Sequence, residues 1–136
     1  MRHGLATLGL IAGLAASPVL ACGPPAGFGA PQRLESARFV VFYRTEPAAI
    51  AVGDYFAVDA IVCPRDSGPA PAAVAVDAYM PEHRHGMNSK PRVVESSPGR
   101  YRAEGLLFHM PGLWQLRIDV DAAGARDRLT QDLDLP

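Results

Sequence analysis

Turn-forming residues divide this chain into short apolar segments, and that division limits its fold more than any other feature. Thirteen prolines and thirteen glycines are spread over 136 residues, and no stretch offers a convincing helix of about ten residues. Residues 116–120 alternate apolar with charged side chains, which is the period of a strand with one buried face. Strands are predicted at 38–44, 55–63, 73–80, 92–95, 100–108, 113–121 and 126–135. About seven strands at this spacing predict an all-β fold, an immunoglobulin-like antiparallel β-sandwich.

The N-terminal residues have the features of an export signal. Arg2 precedes an uncharged stretch, 5–21, which is shorter than the roughly 20 apolar residues of a membrane span and ends in a small residue. We therefore predict a cleaved signal peptide over 1–21, with an uncleaved N-terminal anchor as the alternative. The Pro/Gly-rich residues 22–34 are predicted to be a flexible tether, and 35–136 the folded domain. The mature protein is expected in the periplasm or in another extracytoplasmic location.

The two cysteines, Cys22 and Cys63, allow two interpretations. Residues 19–22 (VLAC) resemble a lipoprotein cleavage box, in which Cys22 would carry a lipid. That lipid is the only membrane contact that we expect. An oxidising compartment would instead favour a disulfide between the two cysteines. Lipidation would leave Cys63 unpaired, which favours the disulfide, but the sequence leaves both interpretations open.

Charge and motif content exclude several classes of function. The formal net charge is -1, so the chain has no basic field that would hold nucleic acid. It contains no Gly-x-Ser-x-Gly elbow, phosphate-binding loop or His-Glu-x-x-His motif. We therefore expect a binding protein rather than an enzyme, with no nucleic-acid partner.

Two short segments, 80–87 and 109–110, hold the soft metal ligands of the chain. Every histidine and every methionine outside the predicted signal peptide lies in one of them. Imidazole and thioether together favour copper, Cu(I) in particular, whereas zinc gains nothing from a thioether. The candidate metal ligands are His83, His85, Met87, His109 and Met110. Met80 continues an alternating strand and Trp114 begins one, so both are predicted to be core residues.

The same residues also have an interpretation without metal. His83 and His85 would share one face of an extended segment, and a solvated loop could place them there for hydrogen bonding alone. The alternative function is a β-sandwich that docks a partner protein through the same two loops. Arg84, Lys90 and Arg92 form a small basic cluster beside the histidines, which could bind an acidic partner.

Two longer segments resemble a known family. Residues 76–91 (VDAYMPEHRHGMNSKP), followed by 99–120 (GRYRAEGLLFHMPGLWQLRIDV), are similar to the YtkA-like family, relatives of the FixH-type domain. The resemblance covers about residues 35–135 and implies an exported or membrane-tethered immunoglobulin-like β-sandwich. FixH-type relatives are associated with copper-dependent assembly of a terminal oxidase. The resemblance therefore implies a periplasmic copper carrier or copper-delivery factor, with a copper-receiving membrane enzyme or assembly factor as its partner. The use of His and Met from two loops is also similar to that of periplasmic copper chaperones.

Overall fold

The computed structural model describes residues 21–136. The predicted signal peptide, 1–21, lies outside the described residues apart from Ala21. Within the described part, no helix is long and apolar enough to cross a membrane. These residues form strands and loops, as the spacing of the turns predicts.

Nine strands make up the described part of the chain. They are β1 (Gln32–Glu35), β2 (Phe39–Glu46), β3 (Tyr55–Pro64), β4 (Ala73–Met80), β5 (His85–Gly86), β6 (Arg92–Ser97), β7 (Arg100–Leu107), β8 (Gly112–Ala122) and β9 (Ala125–Leu135). They pair antiparallel in a five-stranded sheet of order β1-β2-β3-β7-β6 and a four-stranded sheet of order β5-β4-β8-β9. The predicted antiparallel β-sandwich is thus confirmed. The sequence misses β1 and β5, because strands of four and two residues are too short to show a period.

The core lies between the inner faces of the two sheets. Burial alternates along β2 and β8, so that every second side chain of their central parts points inward. Trp114, Phe39, Phe108 and Met80 are among the largest fully buried side chains. Trp114 and Met80 are therefore core residues, as the sequence predicts. Burying each such side chain contributes roughly 1.5–3 kcal/mol to stability.

The outer faces carry rows of ion pairs between neighbouring strands. On the five-stranded sheet, Asp59 lies between Arg44 and Arg102, with nitrogen–oxygen distances of 3.0 and 2.8 Å. Hydrogen bonds to Glu104, Asp59 and Glu46 raise the pKa of the Arg102 guanidinium. On the four-stranded sheet, the pairs are Arg126–Asp121 and Arg128–Asp119. The charged side chains of both faces are therefore largely matched within the domain.

The segment before β1 is attached to the five-stranded sheet rather than free. Cys22 forms a disulfide with Cys63 on β3, and a lipid thioether on the same sulfur would exclude this bond. Phe28 packs against the Arg44 guanidinium, whose carbon lies 4.8 Å from the ring centroid. The strand β1 begins at Gln32, before the predicted domain boundary at residue 35. The segment predicted as a flexible tether, 22–34, thus carries the disulfide at its first residue and most of β1 at its end.

Candidate metal site

A tight turn after β4 positions the first group of predicted ligands. The Arg84 amide donates a hydrogen bond to the Met80 carbonyl at 2.9 Å, and Arg84 adopts φ 56°. The chain then returns as β5, in which His85 pairs with Met80 and Gly86 with Tyr79. Directly opposite residues of an antiparallel pair point to the same face of the sheet. His85 therefore lies on the core side of the sheet, beside the buried Met80.

A bulge in β7 determines the position of the second group of predicted ligands, His109 and Met110. In its pairing with β3, β7 carries an extra residue between Ala103 and Leu106. Gly105 adopts φ 86° there, in the left-handed region that glycine enters without strain. The buried positions change from odd numbers, as at Ala103, to even numbers, as at Leu106 and Phe108. The strand then ends, and the chain turns across the end of the sandwich at His109.

The two loops bring three imidazole rings together beside Trp114. The ring centroids of His85 and His109 are 5.1 Å apart, and those of His83 and His85 are 5.8 Å apart. The indole of Trp114 lies 5.8 Å from the His85 ring and 5.3 Å from the His109 ring, in edge-to-face arrangements. We call His83, His85 and His109 the histidine cluster. The cluster thus brings together residues from two segments that are distant in sequence, 83–85 and 109.

Trp114 is fully buried, and it also fixes the second loop. Its indole Nε1–H donates a hydrogen bond to the Met110 carbonyl at 3.0 Å, and Phe108 packs against its ring with centroids 4.9 Å apart. The sequence predicts a core tryptophan here but not this contact with the site. One chemical argument from the sequence could have predicted this contact. A buried indole N–H needs a hydrogen-bond acceptor, and a carbonyl of the adjacent loop can supply it.

The imidazole nitrogens of His85 and His109 differ in their hydrogen bonding. His85 Nδ1 lies 3.0 Å from the Gly86 carbonyl oxygen. With Nδ1–H donating to that carbonyl, Nε2 of His85 keeps a free lone pair. His109 Nδ1 is buried and has no hydrogen-bond partner in the described part of the chain. An unsatisfied buried polar atom costs about 1–3 kcal/mol, so this nitrogen is a candidate for binding a ligand.

The other three predicted ligands, His83 of the cluster and the two methionines, differ in their exposure. His83 is exposed, whereas Met87 and Met110 are half-buried and pack against the core. Among residues 21–136, no group of three or more His, Cys, Asp or Glu side chains is arranged to hold a metal ion. The predicted ligand set at this end adds the thioethers of Met87 and Met110 to the imidazoles.

The basic side chains near the histidine cluster are free of ion pairs. Arg84, Lys90 and Arg92 are exposed, and none of them belongs to an ion pair of the described residues. Arg84 stands between His83 and His85 in the chain, so the basic cluster begins at the site itself. Glu82, next to His83, is also exposed and belongs to no ion pair of the described residues, so the free charges around the two loops are three positive and one negative.

Fold and site together define the class of the protein: an antiparallel β-sandwich with an imidazole cluster between two loops at one end. The chain belongs to the YtkA-like family, whose family model matches residues 40–119. The matched region contains both loops of the histidine cluster, and it confirms the resemblance seen in the sequence.

The solved structures include a similar fold. A DUF4426 family protein from Pseudomonas aeruginosa aligns with a TM-score of 0.51 and 13% identity, over 77% of this chain and 94% of that chain. At this identity the likeness concerns the fold alone, and it supports the β-sandwich. The comparison with curated proteins gives no match.

Proposed function

We propose that the chain is an exported Cu(I)-binding module that carries copper or delivers it to a respiratory enzyme, with no catalytic activity of its own. The observation that supports this most directly is the His85–His109 pair, whose rings lie 5.1 Å apart although they come from different loops. The buried and unpartnered Nδ1 of His109 adds a donor atom that the fold itself does not use.

In this proposal, His85, His109 and Met87 hold the copper, and Met110 or His83 completes the set. The soft thioether and the imidazole are both neutral ligands that suit copper, and the thioether favours Cu(I) in particular. The half-buried Met87 and Met110 and the buried Trp114 limit water on the core side. Zinc fits this set less well, because a thioether is a poor ligand for it.

The same end of the molecule suits transfer of copper to a partner. His83 is exposed, so a ligand of a receiving protein could approach the metal from that side. The unpaired charges of Arg84, Lys90 and Arg92 would attract an acidic surface and orient it over the histidine cluster. We therefore propose a copper-receiving membrane enzyme or assembly factor as the partner.

The proposed location outside the cytoplasm draws support from the cysteines. The Cys22–Cys63 disulfide is the pairing that an oxidising compartment permits. Export through the predicted signal peptide would bring the domain to such a compartment. The disulfide also holds Cys63 in a form that cannot compete for Cu(I), which leaves the His and Met side chains as the soft ligands of the domain.

Titration of the purified protein with Cu(I), in competition with a chromophoric chelator and without oxygen, tests this proposal. We expect Met87→Ala to weaken binding at least about tenfold, or about 1.4 kcal/mol. Met80→Leu is the matched control, because Met80 is a buried methionine of the same region and leucine conserves its volume. Its affinity should equal that of the parent.

Two outcomes would reject a copper site in these loops. One is an affinity of the parent for Cu(I) no greater than that of an unfolded control chain. The other is equal binding by the parent, Met87→Ala and His109→Ala. Either result would favour the function without metal, in which the two loops and the basic cluster dock a partner protein.

A further inference from the structure

Among residues 21–136, the free edge of β9 is the longest strand edge that has no partner. β9 is the last strand of the four-stranded sheet, and its 11 residues pair with β8 on one side only. The other edge strands, β1, β5 and β6, have 4, 2 and 6 residues. Unpaired main-chain groups along an edge strand are a template for a further strand. The β9 edge is therefore the part of the fold best suited to strand addition.

The hairpin between β8 and β9 determines which main-chain groups of β9 face the free edge. Its two loop residues, Ala123 and Gly124, have φ values of 50° and 75°, as a type I′ turn requires. The turn is closed by Ala122 and Ala125, and the amide of the second donates to the carbonyl of the first. Because hydrogen bonding alternates along an antiparallel strand, the amides and carbonyls at the even positions of 126–134 point away from β8.

Two further observations agree that this side of β9 is open. The side-chain amide of Gln131 donates to the carbonyl of Asp132 at 3.1 Å, which places that carbonyl on the free side of the strand. A groove of about 530 Å³ runs beside the last part of β9, lined by Gln131 and Leu133 on β9 and by Thr45 on β2. The five-stranded sheet therefore does not cover the edge there.

The exposed side chains of β9 change sign along the strand. They lie at the even positions, on the outer face of the sheet: Arg126 and Arg128 come first, Thr130 is in the middle, and Asp132 and Asp134 come last. Neither aspartate belongs to an ion pair of the described residues. A second β9 running in the opposite direction would therefore place acidic side chains opposite basic ones.

We propose that two copies of this chain pair antiparallel through their β9 edges, about a two-fold axis at Thr130, and so form one continuous sheet. In this register Arg126 lies opposite Asp134 of the second copy, and Arg128 lies opposite Asp132 of the second copy. The two-fold axis makes each contact occur twice. A shift of the axis by one residue in either direction leaves only one of the two arginines opposite an aspartate, so the charges select this register.

The pairing continues the ion-pair rows of the outer face into the second copy. Arg128 already binds Asp119 of its own β8, and Arg126 binds Asp121, each at 2.7 Å. In the joined sheet, each arginine lies between two aspartates, one from each copy. The main-chain hydrogen bonds hold the two edges together, and the charges determine which residues lie opposite one another.

The inward-facing charge of β9 does not oppose this pairing. A charged side chain that points inward from an edge strand is one device that prevents strands from joining. The carboxylate of Asp127 occupies such a position, but it accepts hydrogen bonds from Arg38 at 2.8 Å and from Ser36 at 2.5 Å. Its charge is thus already paired within its own domain.

Sedimentation equilibrium of the disulfide-bonded, metal-free protein over a range of concentrations tests this proposal without reference to copper. We expect a monomer–dimer equilibrium in the parent, and dimerisation at least about tenfold weaker in Asp132→Arg/Asp134→Arg, which sets like charges opposite each other. The matched control is Asp54→Arg/Glu82→Arg, which adds the same charge at two exposed positions away from β9. This control should dimerise as the parent does.

A cross-link tests the register separately. At the two-fold axis the Cα atoms of the two Thr130 residues would lie roughly 5.5 Å apart, within the range that a disulfide spans. Diamide oxidation of Thr130→Cys should therefore give a covalent dimer. Ala75→Cys is the control, because Ala75 is exposed on β4, an inner strand of the same sheet. It should cross-link much more slowly.

Four results would overturn the proposal. A parent that stays monomeric at every concentration would leave the edge to a strand of another protein. A mass that rises beyond the dimer would indicate open, head-to-tail assembly. The other two are equal dimerisation by the parent and Asp132→Arg/Asp134→Arg, and equal cross-linking of Thr130→Cys and Ala75→Cys.

Discussion

The outer faces of the sheets and the end that carries the histidine cluster use polar side chains in opposite ways. On the outer face of the four-stranded sheet, Arg128 and Arg126 lie directly opposite Asp119 and Asp121, and each pair has a nitrogen–oxygen distance of 2.7 Å. At the histidine end, by contrast, Nδ1 of His109 has no partner among the described residues. These charged side chains on the outer face are therefore paired with one another, whereas a buried nitrogen at the histidine end has no partner among the described residues.

In our proposal, this difference separates the part of the molecule that serves the fold from the part that serves binding. Exposed ion pairs contribute only about 0–1 kcal/mol each, so the rows on the faces chiefly keep the outer surface soluble and matched. The buried His109 nitrogen without a partner costs the fold stability, and in our proposal it binds a ligand from outside. The following predictions test that division, from the largest expected effect to the smallest.

Trp114 belongs both to the core and to the surroundings of the histidine cluster, and its removal should have the largest effect. It is fully buried and contacts both His85 and His109. We expect Trp114→Ala to lower the free energy of unfolding by roughly 3–5 kcal/mol, as measured by urea denaturation. Leu113→Ala changes the exposed neighbour and should stay within about 0.5 kcal/mol of the parent. Equal losses in the two variants would show that Trp114 is not a core residue.

The disulfide gives the next largest effect. It joins cysteines separated by 41 positions and holds the N-terminal segment on the five-stranded sheet. Replacing both Cys22 and Cys63 by serine should lower the free energy of unfolding by about 2–4 kcal/mol. The intact mass of the parent should be that of the chain with two hydrogens removed. A lipid adduct on Cys22 would contradict this pairing.

A substitution within the histidine cluster should affect binding more than stability. We expect His109→Ala to weaken Cu(I) binding at least about tenfold, or about 1.4 kcal/mol, while the far-ultraviolet circular dichroism spectrum stays strand-dominated. Arg128→Ala removes a partner of Asp119 on the outer face and should leave Cu(I) affinity unchanged. If both variants bind alike, the division between faces and end is wrong.

Lowering the pH should test a paired carboxylate, Asp127, at the start of β9. Hydrogen bonds from Arg38 and Ser36 lower the pKa of Asp127 below its ordinary value of 3.8. A carboxyl with a lowered folded-state pKa contributes stability above its unfolded pKa and loses it as the pH falls through the folded value. The parent should therefore lose stability below about pH 4, and Asp127→Asn should lack this part of the loss. Urea denaturation at a series of pH values measures it, and parallel curves would contradict the assignment.

The sequence predicts the sheets well because alternation is a local property. The pattern around Ile118 identifies β8, and the strand positions follow from the turns between them. The composition of the two loops predicts that His85, Met87 and His109 belong together, and the structure brings the rings of His85 and His109 within 5.1 Å of each other.

Other features depend on tertiary structure and leave little trace in the sequence. The bulge at Gly105 changes which side chains are buried just before His109. A single glycine in the sequence does not predict such a bulge. The pairing of His85 with Met80 rests on a strand of two residues. The attachment of the N-terminal segment requires Cys63 to lie beside it, which only the folded sheet decides. These three features depend on how the strands pair and pack, which the periodicity of the sequence does not predict.

X-ray absorption at the copper edge of the Cu(I)-loaded protein tests the central claim most directly, because it identifies the atoms bound to the metal. We predict both nitrogen and sulfur neighbours in the parent, with the sulfur contribution reduced in Met87→Ala and unchanged in Met80→Leu. A spectrum with nitrogen and oxygen neighbours only, or an equal sulfur contribution in the parent and Met87→Ala, would contradict a His/Met copper site at this end of the sandwich.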